Sequence, residues 1–286
     1  MEFGKLDNVD QVDWALPKDD PLSAPFLAQF QKNDPLKVYF GAPAWNHKEW
    51  MGKIYPLKTK PTEFLYHYSR YFTCLEMNTV HYRIPTGEQV KKWRDKVPEE
   101  FLFCPKVFNG LSHTCNGLRD KQLLSEWMGF LESLQSNCGP SFLQLPPQYD
   151  YSNRAELFEF LKNWPVHFEL SLEFRHPSWF QEGRILPLLT QYLQTRKIGL
   201  VITDVAGRRD VLHTSMSADF SMVRFIGNAL HPSDYTRTDT WLERFRIWEG
   251  YGLQRVFLFI HEPDDILVPE MTSSIVGKVR SAGFVI

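Results

Sequence analysis

The sequence predicts an α/β fold of the single (β/α)8 TIM-type barrel class, and three features carry the prediction. Eight short apolar runs of strand character recur with their ends roughly 31 residues apart, the length of one βα unit. Amphipathic segments with helix-start signals lie between them. Neither G-x-G-x-x-G nor G-x-x-x-x-G-K-[ST] follows any run, which disfavours an open doubly wound sheet.

The runs are VYFGA (38–42), TCLEMN (73–78), FLFCPK (101–106), SFLQL (141–145), HFELSLEF (167–174), IGLVITD (198–204), SMVRFIG (221–227) and RVFLFIH (255–261). Thr86-Gly-Glu-Gln89 reads as a capping box before VKKWRDKV, and Asn153-Arg-Ala-Glu156 resembles one before LFEFLKNW. Pro61 suits the first turn of TEFLYHYSRYF. The interval of 22 residues between the ends of the sixth and seventh runs leaves little room for a helix, so the sixth crossover is expected to be short or irregular. Residues 1–36 carry seven acids, three bases and prolines at 17, 21, 25 and 35. They read as an irregular N-terminal arm with one short helix, SAPFLAQFQKN, lying on a barrel domain of residues 37–286.

With 43% hydrophobic and 23% charged residues, the 286-residue chain has the composition of a globular protein. A net charge of −2 and a pI near 6.5 exclude a global positive field for nucleic acid or anionic lipid, so any anion site must be local. No basic stretch leads into an apolar run at the N-terminus and no segment has the length of a membrane span, so the expectation is a cytoplasmic protein with no membrane partner. Cys74, Cys104, Cys115 and Cys138 show no C-x-x-C spacing and are expected to be reduced thiols. Most of the 22 Phe, 11 Tyr and 9 Trp must be core. Trp45, Trp50, Tyr55, Tyr82, Phe108 and Trp179 nevertheless fall in expected loops, where a ligand could stack on them.

In such a barrel, outward side chains pack on helices, so a charged residue inside a strand should point inward, and near the strand's C-terminal end that means into the mouth. This test selects Glu76 and Asn78, Lys106, Gln144, Glu173 and Arg175, Asp204, Arg224, and His261 with Glu262. Buried charges also persist as purely structural pairs, and Glu76 with Arg175 or Glu173 with Arg224 would qualify. The interiors of these barrels are normally filled by branched apolar residues, so the whole set fits a site better. His81, His113 and His176 lie in the loops after the strands and add acid–base or ligand groups.

The segments GAPAWNHKEWMGKIYP, CLEMNTVHYRIPT, FLFCPKVFNGLSHT, GPSFLQLPPQY, LEFRHPSWF and MVRFIG, in this order, resemble the YecE-like family, also called domain of unknown function 72. The resemblance spans about Val38 to Ile260 and implies a TIM-type barrel, but it implies no activity. Its motif positions fall on Trp45, Glu76, Asn78, Tyr82, Lys106, His113, Gln144, Pro146, Glu173, Arg175, His176 and Arg224. Two departures stand out: Gly41-Ala-Pro-Ala-Trp45 replaces a Gly-Thr-Ser-Gly-Trp-like run, and the eighth run ends FLFIHEPDD where an Asn-rich ending is usual.

Lys106, Arg175 and Arg224 near Gln144 would make a cationic pocket for phosphate or carboxylate. The expected function is therefore a metal-independent, cofactor-free enzyme for a small anionic, sugar-like substrate. Glu76, Lys106, His113 and Glu173 would be catalytic. Trp45, Asn78, Tyr82, Gln144, Arg175, His176, Trp179, Asp204, Arg224 and His261 would bind substrate. One alternative is a metal-dependent phosphodiesterase or sugar isomerase, with nucleic acid as a possible but less favoured substrate, using Glu76, Glu173, His176, Asp204, His261 and Glu262. A retaining glycosidase is disfavoured because the fourth and seventh strands offer Gln144 and Arg224 instead of paired carboxylates. A non-catalytic ligand-binding protein is the remaining alternative, and the sequence leaves the oligomeric state open.

Overall fold

Eight strands form where the apolar runs predict them: β1 (Lys37–Gly41), β2 (Cys74–Met77), β3 (Leu102–Pro105), β4 (Ser141–Gln144), β5 (Leu170–Glu173), β6 (Gly199–Asp204), β7 (Phe220–Ile226) and β8 (Arg255–His261). The computed structural model describes residues 4–30 and 34–286. Strands β2, β4, β5 and β6 are buried at every position, as expected of parallel strands covered on both faces. The mixed α/β class is therefore as the sequence predicts. The chain divides into two compact units, residues 41–179 and residues up to 40 together with 180–286.

In the unit of residues 41–179, β2 pairs parallel with β3 and β4 with β5, while bridges from Phe103 to Cys138 and Lys106 to Phe142 join the two pairs. The helix Phe64–Tyr71 follows a single 3-10 turn that opens on Pro61. Its buried Tyr68 hydroxyl accepts from the Ala42 N–H at 2.7 Å and donates to the Cys74 carbonyl at 3.1 Å. Thr86 caps the helix Gly87–Arg94 by accepting from the Gln89 N–H at 3.3 Å, as its capping box predicts. In Lys121–Leu134, Asp120 caps the first turn at 2.9 Å, and Leu124, Trp127, Leu131 and Leu134 form the buried stripe at three- and four-residue spacing.

Two expectations are corrected here. Asn153 makes no side-chain cap; Asp150, three residues earlier, instead accepts from the Ser152 N–H at 3.0 Å and starts a 3-10 turn ahead of the helix Arg154–Asn163. Trp50 and Tyr55 do not line an open loop but are 0% and 1% exposed. Trp50 packs on Tyr55 and Tyr68, and Tyr55 stacks on Phe64 at 4.7 Å. An apolar ring is stabilised more by this burial than by standing in water.

In the other unit the strands run in the order β1, β8, β7, β6, with β7 pairing parallel to both β6 and β8. Pro187 opens the helix Pro187–Arg196, and Pro232 opens Pro232–Tyr251, which Gly252 closes at φ 117°. No helix connects β6 to β7, as the short interval predicts; the link holds one 3-10 turn, Arg209–Val211, and an extended segment buried from Val211 to Ala218. The N-terminal arm satisfies this segment's polar groups. Ser215 Oγ donates to Asp20 at 2.6 Å, Thr214 Oγ1 to the Lys18 carbonyl at 2.7 Å, and the Met216 N–H to Ser23 Oγ at 3.0 Å. The arm's predicted helix is shorter than expected, Ser23–Leu27 with one 3-10 turn after it, and its last residues, 31–33, lie outside the described residues. Among the described residues, no helix is long and apolar enough to cross a membrane.

Candidate active site

Paired residues of parallel neighbours place their side chains on the same face, and a strand returns to that face every second residue. In the unit of residues 41–179 these two rules assemble a polar cluster at the C-terminal ends of β2 to β5. Gln144 lies opposite Glu173 in the β4–β5 register, and Gln144 Nε2 donates to Glu173 Oε2 at 2.7 Å. Lys106, next to the end of β3, donates from Nζ to Gln144 Oε1 at 2.8 Å. Two residues beyond Glu173, Arg175 Nε donates to Glu173 Oε1 at 3.0 Å. Two residues beyond Glu76, Asn78 Nδ2 donates to Glu76 Oε1 at 2.8 Å. Lys106, Gln144, Glu173 and Arg175 thus form a continuous chain of ammonium, amide, carboxylate and guanidinium. Gln144 and Glu173 within it are 4% and 1% exposed, and Glu76, in the separate pair with Asn78, is 0% exposed.

Two histidines stand beside the chain. His81 ends the 3-10 turn Thr79–His81, and its Nδ1 meets the Val107 carbonyl at 2.6 Å. A carbonyl only accepts, so Nδ1 carries the proton and Nε2 is the lone-pair nitrogen of the neutral ring. His113 follows the one-turn helix Asn109–Ser112, with Nδ1 2.7 Å from Ser112 Oγ. The two rings meet edge to face at 5.1 Å. Burial and the Lys106 charge lower the His81 pKa to about 4. Partial desolvation, then Lys106 and Arg175, lower that of His113. Burial is thus the main reason both rings stay neutral, and the positive charge beside them adds to it.

The remaining candidates of this unit divide by exposure. Tyr82 is 74% exposed with its ring 5.3 Å from His81, and half-buried Trp45 packs edge-on against Trp93 at 6.0 Å. Trp179 is fully buried, donates from Nε1 to the Tyr149 carbonyl at 2.7 Å and packs on Phe174 at 4.6 Å. That places it in the core and not in an open wall. His176 Nδ1 lies 2.8 Å from Ser178 Oγ and accepts from the Ser178 N–H at 3.2 Å, so this nitrogen shapes a turn. The sequence offered no sign of Ser112 or the Val107 carbonyl as orienting partners, because neither position is charged, aromatic or part of a spacing motif.

Asp204, Arg224 and His261 belong to the other unit. Asp204 closes β6 at 1% exposure and binds Arg237 Nη2 at 3.0 Å, Trp241 Nε1 at 2.8 Å and Arg209. Burial alone would raise its pKa, yet Arg237 and Arg209 bring it below the usual carboxylate range. Its lone pairs are committed to the fold. Arg224 is 8% exposed in β7, level with Thr203 and Phe259. His261 ends β8 and lines a pocket within that unit. Of the carboxylate and imidazole donors considered for a metal, none form a group: among the described residues no three His, Cys, Asp or Glu side chains come together as metal ligands would.

The fold and cluster define an α/β protein of repeated βα units with a buried chain of charges on adjacent parallel strand ends. The family model described as protein of unknown function DUF72 matches residues 39–280, and the chain belongs to that family. It is similar to UPF0759 protein YecE of Escherichia coli (strain K12), 28% identical over 261 residues that cover 85% of this chain and 93% of the relative. UPF0759 protein YunF of Bacillus subtilis (strain 168) is 28% identical over 153 residues, 50% of this chain and 52% of the relative. Among solved structures, a DUF72 family protein (EF0366) of Enterococcus faecalis V583 aligns with TM-score 0.67 at 18% identity, covering 87% of this chain and 99% of its own. A DUF72 family protein (TM1631) of Thermotoga maritima MSB8 aligns with TM-score 0.65 at 20% identity, covering 86% and 98%. These structural likenesses show a shared fold.

Proposed function

We propose that the protein is an enzyme acting on a small anionic, sugar-like substrate, phosphorylated or carboxylated, with the cluster of residues 76 to 175 as its site and no metal in the reaction. The observation that carries this is the pair of cations on one cluster: Lys106 on Gln144 and Arg175 on Glu173 would attract an anion, and their charge adds to burial in lowering the pKa of His81 and His113. Lys106 and Arg175 neutralise the substrate's charge, Arg175 through its planar donor fork. Gln144 orients both Lys106 and Glu173. Glu76 and Glu173 are the proton-transferring pair, His113 donates a hydrogen bond or a proton, and Lys106 polarises a substrate carbonyl. Tyr82 and Trp45 offer faces for the sugar ring.

Calorimetric titration with glucose 6-phosphate, and with glucose as the uncharged control, tests the reading. The phosphate ester is expected to bind and glucose not to. Lys106→Ala should weaken binding by at least about tenfold, the loss expected for a charge-assisted contact. Equal binding of both probes, or an unaffected Lys106→Ala, would overturn it.

A further inference from the structure

A pocket of about 680 Å³ opens within the unit that contains the N-terminal arm, lined by arm residues 4–10 and by the loops after β7 and β8. Its volume suits a small organic molecule. Glu262, the residue after β8, lines it at 5% exposure. Glu262 Oε2 accepts from the Ala229 N–H at 2.9 Å, while the buried Oε1 has no protein partner among the described residues. A buried carboxylate oxygen without a donor is costly and calls for one. The backbone is shaped around this side chain. A Cβ on Gly227 would lie 2.2 Å from Oε1, so only glycine leaves room for it. Ala229, Leu230, Asp264 and Asp265 all hold positive φ, between 55° and 58°, in the two loops. Non-glycine residues in that region concentrate at ligand clamps and turns.

The other lining groups indicate the sign of the ligand. Asp7 from the arm and Asp264 and Asp265 from the turn after β8 are acidic, and Leu6, Val205 and Pro263 are apolar. Asp10 is engaged by His231 Nε2 at 3.2 Å. We propose that this pocket binds a small organic cation, an ammonium group on a short apolar body, with the Glu262 carboxylate as its buried acceptor and Asp7, Asp264 and Asp265 attracting it.

The electrostatic setting of Glu262 makes the site sensitive to pH. Burial, then the Asp234 carboxylate, raises its pKa to about 7, against the Ala229 and Leu230 N–H groups and Arg237, which lower it. His261 from β8, His231 from the loop after β7 and Lys5 from the arm complete the titratable surroundings. An acceptor with that pKa is about one-tenth ionised at pH 6 and nine-tenths at pH 8, so cation affinity should rise about tenfold between them.

The test is calorimetric titration of the full chain with putrescine, with 1,4-butanediol as the uncharged counterpart. The expected result is one putrescine per chain, no binding of the diol, and about tenfold tighter binding at pH 8 than at pH 6. Glu262→Gln should weaken binding at pH 8 by at least about tenfold and flatten the pH dependence. The rim substitution Asp264→Asn, which leaves the buried carboxylate in place, should weaken binding several-fold and keep the pH dependence. Absence of putrescine binding at 10 mM, equal binding of the diol, a flat pH profile, or unchanged affinity in both variants would overturn the proposal. Tighter binding of Mg2+ than of putrescine with the same Glu262 dependence would also overturn it, in favour of a metal ion.

Discussion

Gln144 stands 2.7 Å from Glu173 through one atom of its amide and 2.8 Å from Lys106 through the other, so a single neutral side chain connects a buried carboxylate to an ammonium group. An amide can donate and accept at once, which neither leucine nor glutamate can do in that place. Gln144→Leu leaves both charges without this partner in a buried setting. It is expected to cost about 2–4 kcal/mol: two hydrogen bonds to charged groups at about 1.5–3 kcal/mol each, less what half-buried Lys106 regains from water. Urea denaturation measures this, and a loss below about 0.5 kcal/mol would show that the bridge contributes nothing.

His81 and His213 give the stability a direction with pH. Burial lowers both to about 4, His81 further because of Lys106 and His213 despite its Val201 carbonyl partner. The unfolded chain takes up these protons near pH 6.5 and the folded chain only near 4. The contribution of each is therefore complete above about 6.5 and is lost as pH falls toward 4, by about 3 kcal/mol per histidine. Chemical denaturation at steps of pH should show that decline, and a constant midpoint from pH 7 to 4.5 would refute it.

Anion binding and the neighbouring imidazoles must be coupled. A bound phosphate offsets the Lys106 and Arg175 charges that hold His113 down, so its pKa should rise on binding. Nuclear magnetic resonance titration of the His113 ring with and without glucose 6-phosphate measures this, and the same coupling predicts proton uptake on binding. An unmoved His113 in the presence of bound phosphate ester would place the anion elsewhere.

Asp204 and Arg237, 3.0 Å apart at 1% and 2% exposure, form a buried pair whose members cannot be removed singly without cost. Arg237→Leu should destabilise by about 3–5 kcal/mol because it leaves Asp204 and Asp234 short of their shared partner. Thermal and urea unfolding would register it, and a change under about 1 kcal/mol would mean that Arg209 and Trp241 suffice for Asp204.

Gly227→Ala places a methyl group against the Glu262 carboxylate. The expected cost is about 1–3 kcal/mol, the range for overpacking. Adding Glu262→Ala should relieve most of that cost, which a double-mutant cycle reads directly. Simple additivity would show that the clash is absorbed elsewhere.

The strand pattern was legible because parallel strands need continuous apolar runs, and the missing sixth helix was legible because chain length bounds what a crossover can hold. Glu76, Lys106, Gln144, Glu173 and Arg175 were legible for a related reason: a charge inside a strand has few places to go. What stayed hidden was whatever depends on which partner arrives. Trp50, Tyr55 and Trp179 lie in loops by sequence, but rings and carbonyls distant along the chain enclose them. Asn153 matched a capping pattern, and Asp150, closer to the turn, took that role. Asp204 obeyed the inward-charge rule for an ordinary structural reason, since Arg237 lies 33 residues away and no spacing motif links the two.

The arm's bonds to the segment that replaces the sixth crossover helix impose an order on synthesis. Asp20 needs Ser215, and Lys18 needs Thr214, partners 195 and 196 residues later. At about 5–20 residues per second on a ribosome, the arm therefore waits about 10–40 s before its partners exist. The arm thus leaves the ribosome long before the segment it is bonded to, and it cannot take its place until nearly two hundred further residues have been made.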